Sequence, residues 1–374
     1  MGGNIQSLDP FSHMGSMTGA SRQGNYVARP SAAPPAATAT ATSTTTTATV
    51  SPTSAAVATS MISTSSPIPP YTTPVALESQ YLVSSDQHAS AVYQFARRLS
   101  TLEHLTTTEQ AALAALPDCI VKKISPEQQL PIGSLQMLGR VAAHPDSVLR
   151  KKSQMAALFL LRLAVLRLRD SADVETHLHN AETLGFLDAL QAEGGIRDGF
   201  FSGPPALVMA LCCSANMLSV SASREWLLQS GRGEALLNAS LSMLGHTRQE
   251  VRSMAATLGY NLALALNQAT GWSPESEDPS AVEGAEVEVP PQAVQLLCGA
   301  LEELDTEADT VVRQRRLRLA LYVIRSCGAP AVQLASDLGF VDVLVAVYRR
   351  SDVHPNETQL LCEMNHRLSN SGVA

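Results

Sequence analysis

Apolar residues recur at helical spacing along most of the chain after residue 87. The clearest example lies within residues 313–350. There the positions i, i+3, i+4 and i+7 of one buried helical stripe are Leu317, Ala320, Leu321 and Ile324. Gly328 and Pro330 follow this stripe. Since Gly tolerates the C-cap conformation and Pro cannot continue a helix, they predict a helix end and a new helix beyond.

The same pattern predicts a series of helices and no series of strands. The predicted helices are residues 89–101, 107–115, 133–143, 147–169, 174–179, 185–193, 205–220, 223–229, 233–244, 249–267, 291–304, 308–326, 329–338, 340–349 and 356–368. Long and short helices alternate with a period of about 40 residues, which is typical of armadillo and HEAT units. We therefore predict an all-α, armadillo/HEAT-like solenoid with a concave binding surface.

The polar segments divide the chain into regions. Residues 1–85 are rich in Thr, Ser, Ala and Pro, and we predict a disordered tail. Within it, residues 9–30 carry Phe11 and Tyr26, either as a docking motif or as part of a plain tether. Residues 86–368 form the predicted domain, and residues 369–374 a short tail. The acidic stretch 271–291 is predicted to be a solvated loop, or a pseudo-substrate that covers a basic edge.

Composition narrows the class of protein. Of the 374 residues 45% are hydrophobic but only 4% aromatic, and this Ala- and Leu-rich composition suits packed helices. The net charge of −8 argues against non-specific nucleic-acid binding. The six cysteines form no CxxC pair, which favours buried reduced thiols. We expect a cytoplasmic protein, with the nucleus as a second location.

No membrane attachment is predicted unless the chain is lipidated. The most apolar run, residues 155–166, contains Arg162 and is too short to span a bilayer. The first residues, MGGNIQS, approach a myristoylation site, but Gln6 stands where the motif has Ser or Thr. An adaptor tethered to a membrane by an acyl group on Gly2 therefore remains an alternative.

No arrangement of residues predicts catalysis, a metal site or a cofactor. His177 and His179 lie two residues apart, so on a helix they point to different faces. Cys212 and Cys213 lie within an apolar helix, where a thiol is unreactive. The glycines of SGRGE, residues 230–234, lack the Lys of a phosphate-binding loop. We predict a non-enzymatic protein.

Basic and amide side chains in the helical region are the candidate binding residues. Bases stand near the ends of successive helices: Arg140, Arg150, Lys151, Lys152, Arg252 and the arginines of residues 313–318. They form either a solvated face or one wall of a groove, and the Arg fork suits carboxylates. Asn216 and Asn261 interrupt apolar helices. Each either holds a peptide backbone or is a satisfied core amide.

Several segments resemble the PUL domain, the armadillo-like C-terminal module of phospholipase-activating protein and its relatives. The segments are RLRLAL (residues 316–321), AVQLASDLG (331–339), AATLGYNLAL (255–264), SANML (214–218) and, near the N-terminus, DPFS…TGASRQGNYV. The resemblance covers residues 86–368. It implies about six armadillo-like repeats and a basic groove that binds the acidic C-terminal tail of the valosin-containing AAA ATPase.

By position, the resemblance implies that Arg316, Asn216 and Asn261 line this groove. We add Arg252, Arg140 and Arg318 as further peptide-binding candidates from the pattern of bases. The chain departs from the family at Cys212, where relatives have Arg, and at Tyr322, where they have Gly.

The predicted function is that of an adaptor in ubiquitin-dependent protein handling, with any contact to ubiquitin-pathway proteins indirect. We expect no nucleic-acid partner and no cofactor. Two alternatives remain besides the lipid-tethered adaptor. One is an interaction scaffold that does not bind the ATPase. The other is an isopeptidase subunit or remnant, against which the missing catalytic dyad argues.

Overall fold

The computed structural model describes residues 68–69, 74–77, 89–121, 129–178, 181–190, 199–272 and 289–370, of which fifteen stretches are α-helices and none is a strand. The all-α prediction is therefore confirmed for this part of the chain. In order the helices are α1 (Ala89–Leu99), α2 (Thr107–Val121), α3 (Ser134–Ala142), α4 (Ser147–Ala164), α5 (Ser171–Leu178), α6 (Ala181–Leu190), α7 (Pro204–Ser219), α8 (Ser221–Gln229), α9 (Arg232–Leu244), α10 (Gln249–Thr270), α11 (Pro291–Leu301), α12 (Thr310–Cys327), α13 (Ala329–Asp337), α14 (Phe340–Tyr348) and α15 (Pro355–Asn370).

The helix boundaries at the C-terminal end follow from local chemistry, and the one at Gly328 was predicted. The carboxylate of Asp309 caps α12 by accepting a hydrogen bond from the backbone N–H of Val312 at 2.9 Å. Gly328 and Gly339, with φ of 62° and 75°, separate α12, α13 and α14. Both conformations are ones that Gly adopts without steric cost. The four apolar residues of the predicted stripe on α12 are all fully buried.

Several predicted helix boundaries differ from the observed ones by a few residues, and the largest difference is at the end of α2. The predicted helix 107–115 ends too early, because α2 continues to Val121 although Pro117 lies inside it. Pro removes one helical hydrogen bond, but Leu116 and Ile120 on either side of it are buried. Tertiary packing therefore extends this helix beyond the point that local propensity favours.

The long helices pack on one another in chain order. Helix α4 contacts α7, α7 contacts α10, α10 contacts α12, and α12 contacts α15. In addition, α3 packs against α4 and α6, and α9 packs against α10 and α11. Every residue of α7 in the range 206–218 and of α10 in the range 253–265 is buried. Helices enclosed on all sides in this way form the core.

Some predictions lie outside the described residues. These are the candidate motif at 9–30, nearly all of the predicted tail, and residues 273–288 of the acidic stretch. In the described part, no single helix is long and apolar enough to cross a membrane. Two sharply bent helix pairs, α7 with α8 and α13 with α14, meet only the length and composition criteria.

Candidate functional site

Arg252 lies near the start of α10 and is fully engaged with the loops around it. Its Nη1 donates to the carbonyls of His246 and Thr247, at 2.8 and 3.1 Å. Its Nε and Nη2 donate to the two carboxylate oxygens of Glu307, at 2.7 and 2.8 Å. These hydrogen bonds to Glu307 raise the pKa of Arg252. The charge of Arg252 is thus already neutralised by a bidentate partner within the chain.

Two other arginines make the same contacts at the starts of α4 and α12. Arg150, Arg252 and Arg313 each donate from Nη1 to the carbonyls five and six residues earlier. The acceptors for the first and last are His144, Pro145, Glu307 and Ala308. We call these three residues the loop arginines. Each closes the loop that precedes its own helix.

The loop arginines also connect that loop to the next one along the row. The Nε atom of Arg150 donates to the carbonyl of Phe200 at 3.0 Å, and that of Arg252 to Glu307. The Nε of Arg313 donates to Glu357 at 2.8 Å. The same side chain thus performs the same bridging role three times, to groups 44 to 55 residues away that lie just before or within the first turn of the next long helix.

Arg316 faces the C-terminal end of α11. Its guanidinium donates to the carbonyls of Ala300 at 3.0 Å and Gly299 at 3.1 Å, and also to that of Glu302. These are carbonyls that the end of a helix leaves without an intrahelical partner. Burial lowers the pKa of Arg316, which is only 4% exposed. Arg316, which the resemblance assigns to a peptide-binding groove, is thus bonded to the main chain at the end of α11.

Arg252 and Arg316 line one cleft of about 750 Å³ between α9, α11 and the loop before α12. Its carboxylates are Glu302, Glu303 and Glu307. Three carboxylates against two guanidinium groups make a poor site for an acidic peptide, because like charges repel at short range. An incoming carboxylate would also have to displace Glu307 from Arg252.

Asn216 and Asn261 join neighbouring long helices. The Nδ2 of Asn216, on α7, donates to the carbonyl of Arg162 on α4 at 2.7 Å. The Nδ2 of Asn261, on α10, donates to the carbonyl of Ala215 on α7 at 3.0 Å and to Ser219 Oγ at 3.2 Å. Both asparagines are fully buried. Each therefore bonds a main chain, but in this structure it is the main chain of the preceding long helix in the row, α4 or α7.

The remaining two candidates lie apart from this cleft. Arg140, at the end of α3, forms an ion pair with Glu109 of α2. Arg318, on α12, is half-buried. The structure thus brings Arg252 and Arg316 together and places the two asparagines along the core helices. The peptide-binding role of all six candidates stays a prediction.

Two of the candidate bases, Lys151 and Lys152, belong to a cluster of exposed bases whose other members were not predicted. Arg97 and Arg98 end α1, Lys151 and Lys152 lie in the first turns of α4, and all four are exposed. The two pairs are adjacent, since Arg98 Nη2 donates to the carbonyl of Lys152 at 2.9 Å. We call these four residues the basic patch. The visible signal was a dibasic pair in each of two predicted helices, but their proximity depends on the packing of α1 on α4.

The chemistry of the other polar groups does not indicate catalysis. Among the described residues, no group of three or more His, Cys, Asp or Glu side chains could hold a metal ion. All six cysteines are free thiols. Burial raises the pKa of Cys213, and it raises the pKa of Cys327 to about 11. These two thiols are therefore protonated and weakly nucleophilic near neutral pH.

Comparison with known proteins identifies one family. The model of the PUL domain matches residues 85–314. The matched range ends before the segment 316–339, so the likeness noted there remains a resemblance. No curated protein matches the chain. Two crystal structures of engineered proteins are 17% and 18% identical to it, with TM-scores of 0.42 and 0.46. They cover 77% and 75% of this chain, and 92% and 99% of their own chains are covered.

Proposed function

Because the chain belongs to the PUL domain family, whose domain is a protein-interaction module, we propose that it is a non-enzymatic adaptor. Its proposed ligand is the acidic C-terminal tail of the valosin-containing AAA ATPase, and its proposed setting is ubiquitin-dependent protein handling in the cytoplasm and nucleus. The observation that carries this proposal is the basic patch, four exposed bases on a chain whose net charge is −8.

The proposal includes an armadillo-like solenoid formed by residues 86–368. The ordered packing of α4, α7, α10, α12 and α15 supports this arrangement. The loop arginines support it further, since Arg150, Arg252 and Arg313 occupy equivalent positions at the starts of three long helices. A contact that recurs at the same place in successive units is expected of stacked repeats.

The basic patch suits the tail because its charges are accessible. Arg98 and Lys152 lie side by side, and each is preceded in the sequence by another exposed base. Such a cluster attracts a flexible acidic segment and increases its association rate, an effect that salt weakens. Arg316 and Arg252, in contrast, would first have to release partners within the chain. We therefore place the first contact of the tail at the basic patch, with half-buried Arg318 as a further candidate.

Charge reversal tests this placement. Fluorescence anisotropy of a labelled tail peptide would compare the full chain with a K151E/K152E variant and with an R248E/R349E control. The control changes the net charge equally at two exposed bases outside the patch. We expect the patch variant to lose at least tenfold in affinity and the control less than twofold. Equal losses would remove the patch from the site, and no binding by the wild-type chain would contradict tail recognition itself.

An interaction scaffold without ATPase binding is the second candidate function. Cys212, which stands where the family has Arg, is fully buried, so this position presents no charge to a ligand. Pull-down from lysate with the wild-type chain, followed by mass spectrometry, separates the two candidates. Recovery of the ATPase favours the adaptor. Recovery of other proteins without it, together with a tail peptide that does not bind, favours the scaffold.

A further inference from the structure

A segment N-terminal to the helices is held by its backbone at the opposite end of the chain. Residues 74–77 lie against α12 and α15, and the contact is made by Val75. The N–H of Val75 donates to Glu363 Oε2 at 2.8 Å, and Arg325 Nη2 donates to the carbonyl of Val75 at 2.8 Å. Ile68, a few residues earlier, is also buried. Both backbone groups of one residue are thus bonded to one pair of side chains.

Arg325 and Glu363 are also held by contacts that do not involve the segment. Arg325 Nε donates to Glu363 Oε1 at 2.7 Å, and Arg367 Nε donates to the same oxygen at 3.1 Å. Glu363 is fully buried, while Arg325 is 23% exposed. The pair therefore presents one acceptor and one donor in fixed positions. Preorganised groups bind with a smaller entropic cost. The edge of a β-sheet likewise offers a peptide hydrogen-bond donors and acceptors for its main chain.

The contact involves the main chain of the segment rather than its side chains. Residues 74–77 are Pro-Val-Ala-Leu and carry no charge, so attraction between charged side chains does not hold them. At the central position any residue can supply the required N–H and carbonyl, with the exception of Pro, which has no N–H. The site is in this respect unlike the basic patch, which would select acidic side chains.

We propose that Arg325 and Glu363 form a peptide-backbone clamp, a binding site for an extended peptide segment that is separate from the basic patch. Residues 74–77 are its resident ligand. Because this segment belongs to the same chain, its effective concentration at the clamp is high. An extended segment from outside can bind only after it displaces residues 74–77. The chain's own residues 74–77 therefore occupy the clamp and block it to other segments.

A matched pair of proline substitutions tests the clamp in the full chain. V75P removes the N–H that Glu363 accepts, whereas A76P places the same residue at an exposed neighbouring position. The probe is a fluorescein-labelled peptide with the sequence of residues 65–79. We expect V75P to bind the probe at least tenfold more tightly than the wild-type chain does, because its own segment no longer competes. A76P should bind it as weakly as wild type.

A second probe carries the same Val-to-Pro change and should bind none of the three chains. Equal affinity of wild type and V75P for the first probe would overturn the proposal. Equal affinity of V75P for both probes would also overturn it, because recognition would then not involve the Val75 N–H. The tail peptide should bind V75P and wild type equally, so failure of the clamp and failure of the basic patch are distinguishable.

Hydrogen exchange at Val75 gives an independent measurement on the wild-type chain. Its amide should exchange at least tenfold more slowly than the intrinsic rate of an unstructured peptide, because the proton is bonded to a buried carboxylate. A saturating concentration of the unlabelled first probe should remove this protection. Exchange at the intrinsic rate without the probe would contradict the resident contact, and protection that the probe leaves unchanged would contradict displacement.

Discussion

Arg313 and Glu357 form an ion pair in which both side chains are fully buried, with 2.8 Å between Arg313 Nε and Glu357 Oε1. Burial opposes the charge of Arg313, but the hydrogen bond and charge of Glu357 outweigh it and raise the pKa of Arg313. The pair ties the start of α12 to the start of α15. It is also the most enclosed of the contacts made by the loop arginines.

Removal of one partner should therefore be costly. R313A leaves the carboxylate of Glu357 buried without its counter-charge, and we expect the free energy of unfolding to fall by about 3–5 kcal/mol. R248A is the control, because Arg248 is exposed and lies 3.7 Å from the half-buried Glu250, so its loss should be about 0–1 kcal/mol. Urea denaturation of both variants measures the difference. Similar losses would mean that the buried pair contributes no more than a surface pair.

Acid should weaken the contact between α12 and α15 through Glu363. Burial acts to raise the pKa of Glu363, but the hydrogen bonds from Arg325 and Val75 outweigh it, and the pKa is lowered from the ordinary value of 4.5. A carboxyl whose pKa is lower in the folded state stabilises the fold above its unfolded value, and that stabilisation is lost as pH falls through the folded value. The relevant window thus begins near pH 4.5 and extends downward.

The E363Q variant tests this dependence. Gln has nearly the same shape but does not titrate, so the variant should be less stable at pH 7 and should lose less stability than wild type between pH 5 and pH 3. Denaturant unfolding at several pH values in this range measures both slopes. D352N is a comparison rather than a neutral control: the pKa of this exposed carboxyl is lowered to about 2, mainly by its hydrogen bond from Arg350, so its effect should appear at lower pH than that of E363Q. Parallel curves for wild type and E363Q would contradict the assignment to Glu363.

The sequence was sufficient for the class of fold and for most helix positions, because both depend on the period of the apolar residues. The stripe on α12 and the break at Gly328 were predicted from local rules alone. The roles of Arg252, Arg316 and Asn261 could not be separated in the same way. A base near a helix start and an amide in an apolar run are compatible with either a binding groove or a structural contact.

The binding role and the structural role are distinguished by a hydrogen-bond partner that is distant in sequence. Glu307 lies 55 residues from Arg252, and Ala215 lies 46 residues from Asn261. No local period indicates such pairs. Every residue has carbonyls five and six positions earlier, so the recurring contact of the loop arginines could not be predicted before the loops were seen folded. The same holds for the basic patch, whose two halves are 54 residues apart where Arg98 meets Lys152.

Substitution of Arg316 distinguishes directly between a role in a binding groove and a structural role. R316A removes the donor to the carbonyls of Gly299, Ala300 and Glu302, and hydrogen bonds to a charged group contribute about 1.5–3 kcal/mol each. We expect a loss of stability of at least that size. R316K should recover only part of it, because an ammonium cannot span three carbonyls in the way a guanidinium does.

The affinity of the folded R316A protein for the tail peptide should change less than twofold. Binding is measured below the unfolding transition and corrected for the folded fraction. A tenfold loss of affinity in protein that remains fully folded would instead support the groove position that the family resemblance implies. A variant that neither loses stability nor affinity would contradict both roles.

Core helices approach one another closely at Gly259 of α10. A Cβ added there would lie 2.9 Å from Ser240 Oγ on α9 and 3.1 Å from Leu319 Cδ2 on α12. Ser240 cannot move freely, since its hydroxyl donates to the carbonyl of Ala255 at 2.9 Å. In helices without tertiary contacts, Gly to Ala is stabilising by about 1 kcal/mol. At this crossing the added methyl group meets atoms on two sides.

We therefore expect G259A to lower the free energy of unfolding by about 1–3 kcal/mol, the usual cost of overpacking a core. G245A is the matched control, because Gly245 follows α9, has no atom within 4 Å of an added Cβ and does not adopt a positive φ. Its stability should change by less than about 0.5 kcal/mol, as for surface substitutions. Thermal and urea unfolding of both variants measure the effect. If G259A is as stable as wild type, then α9, α10 and α12 pack less closely than the structure indicates.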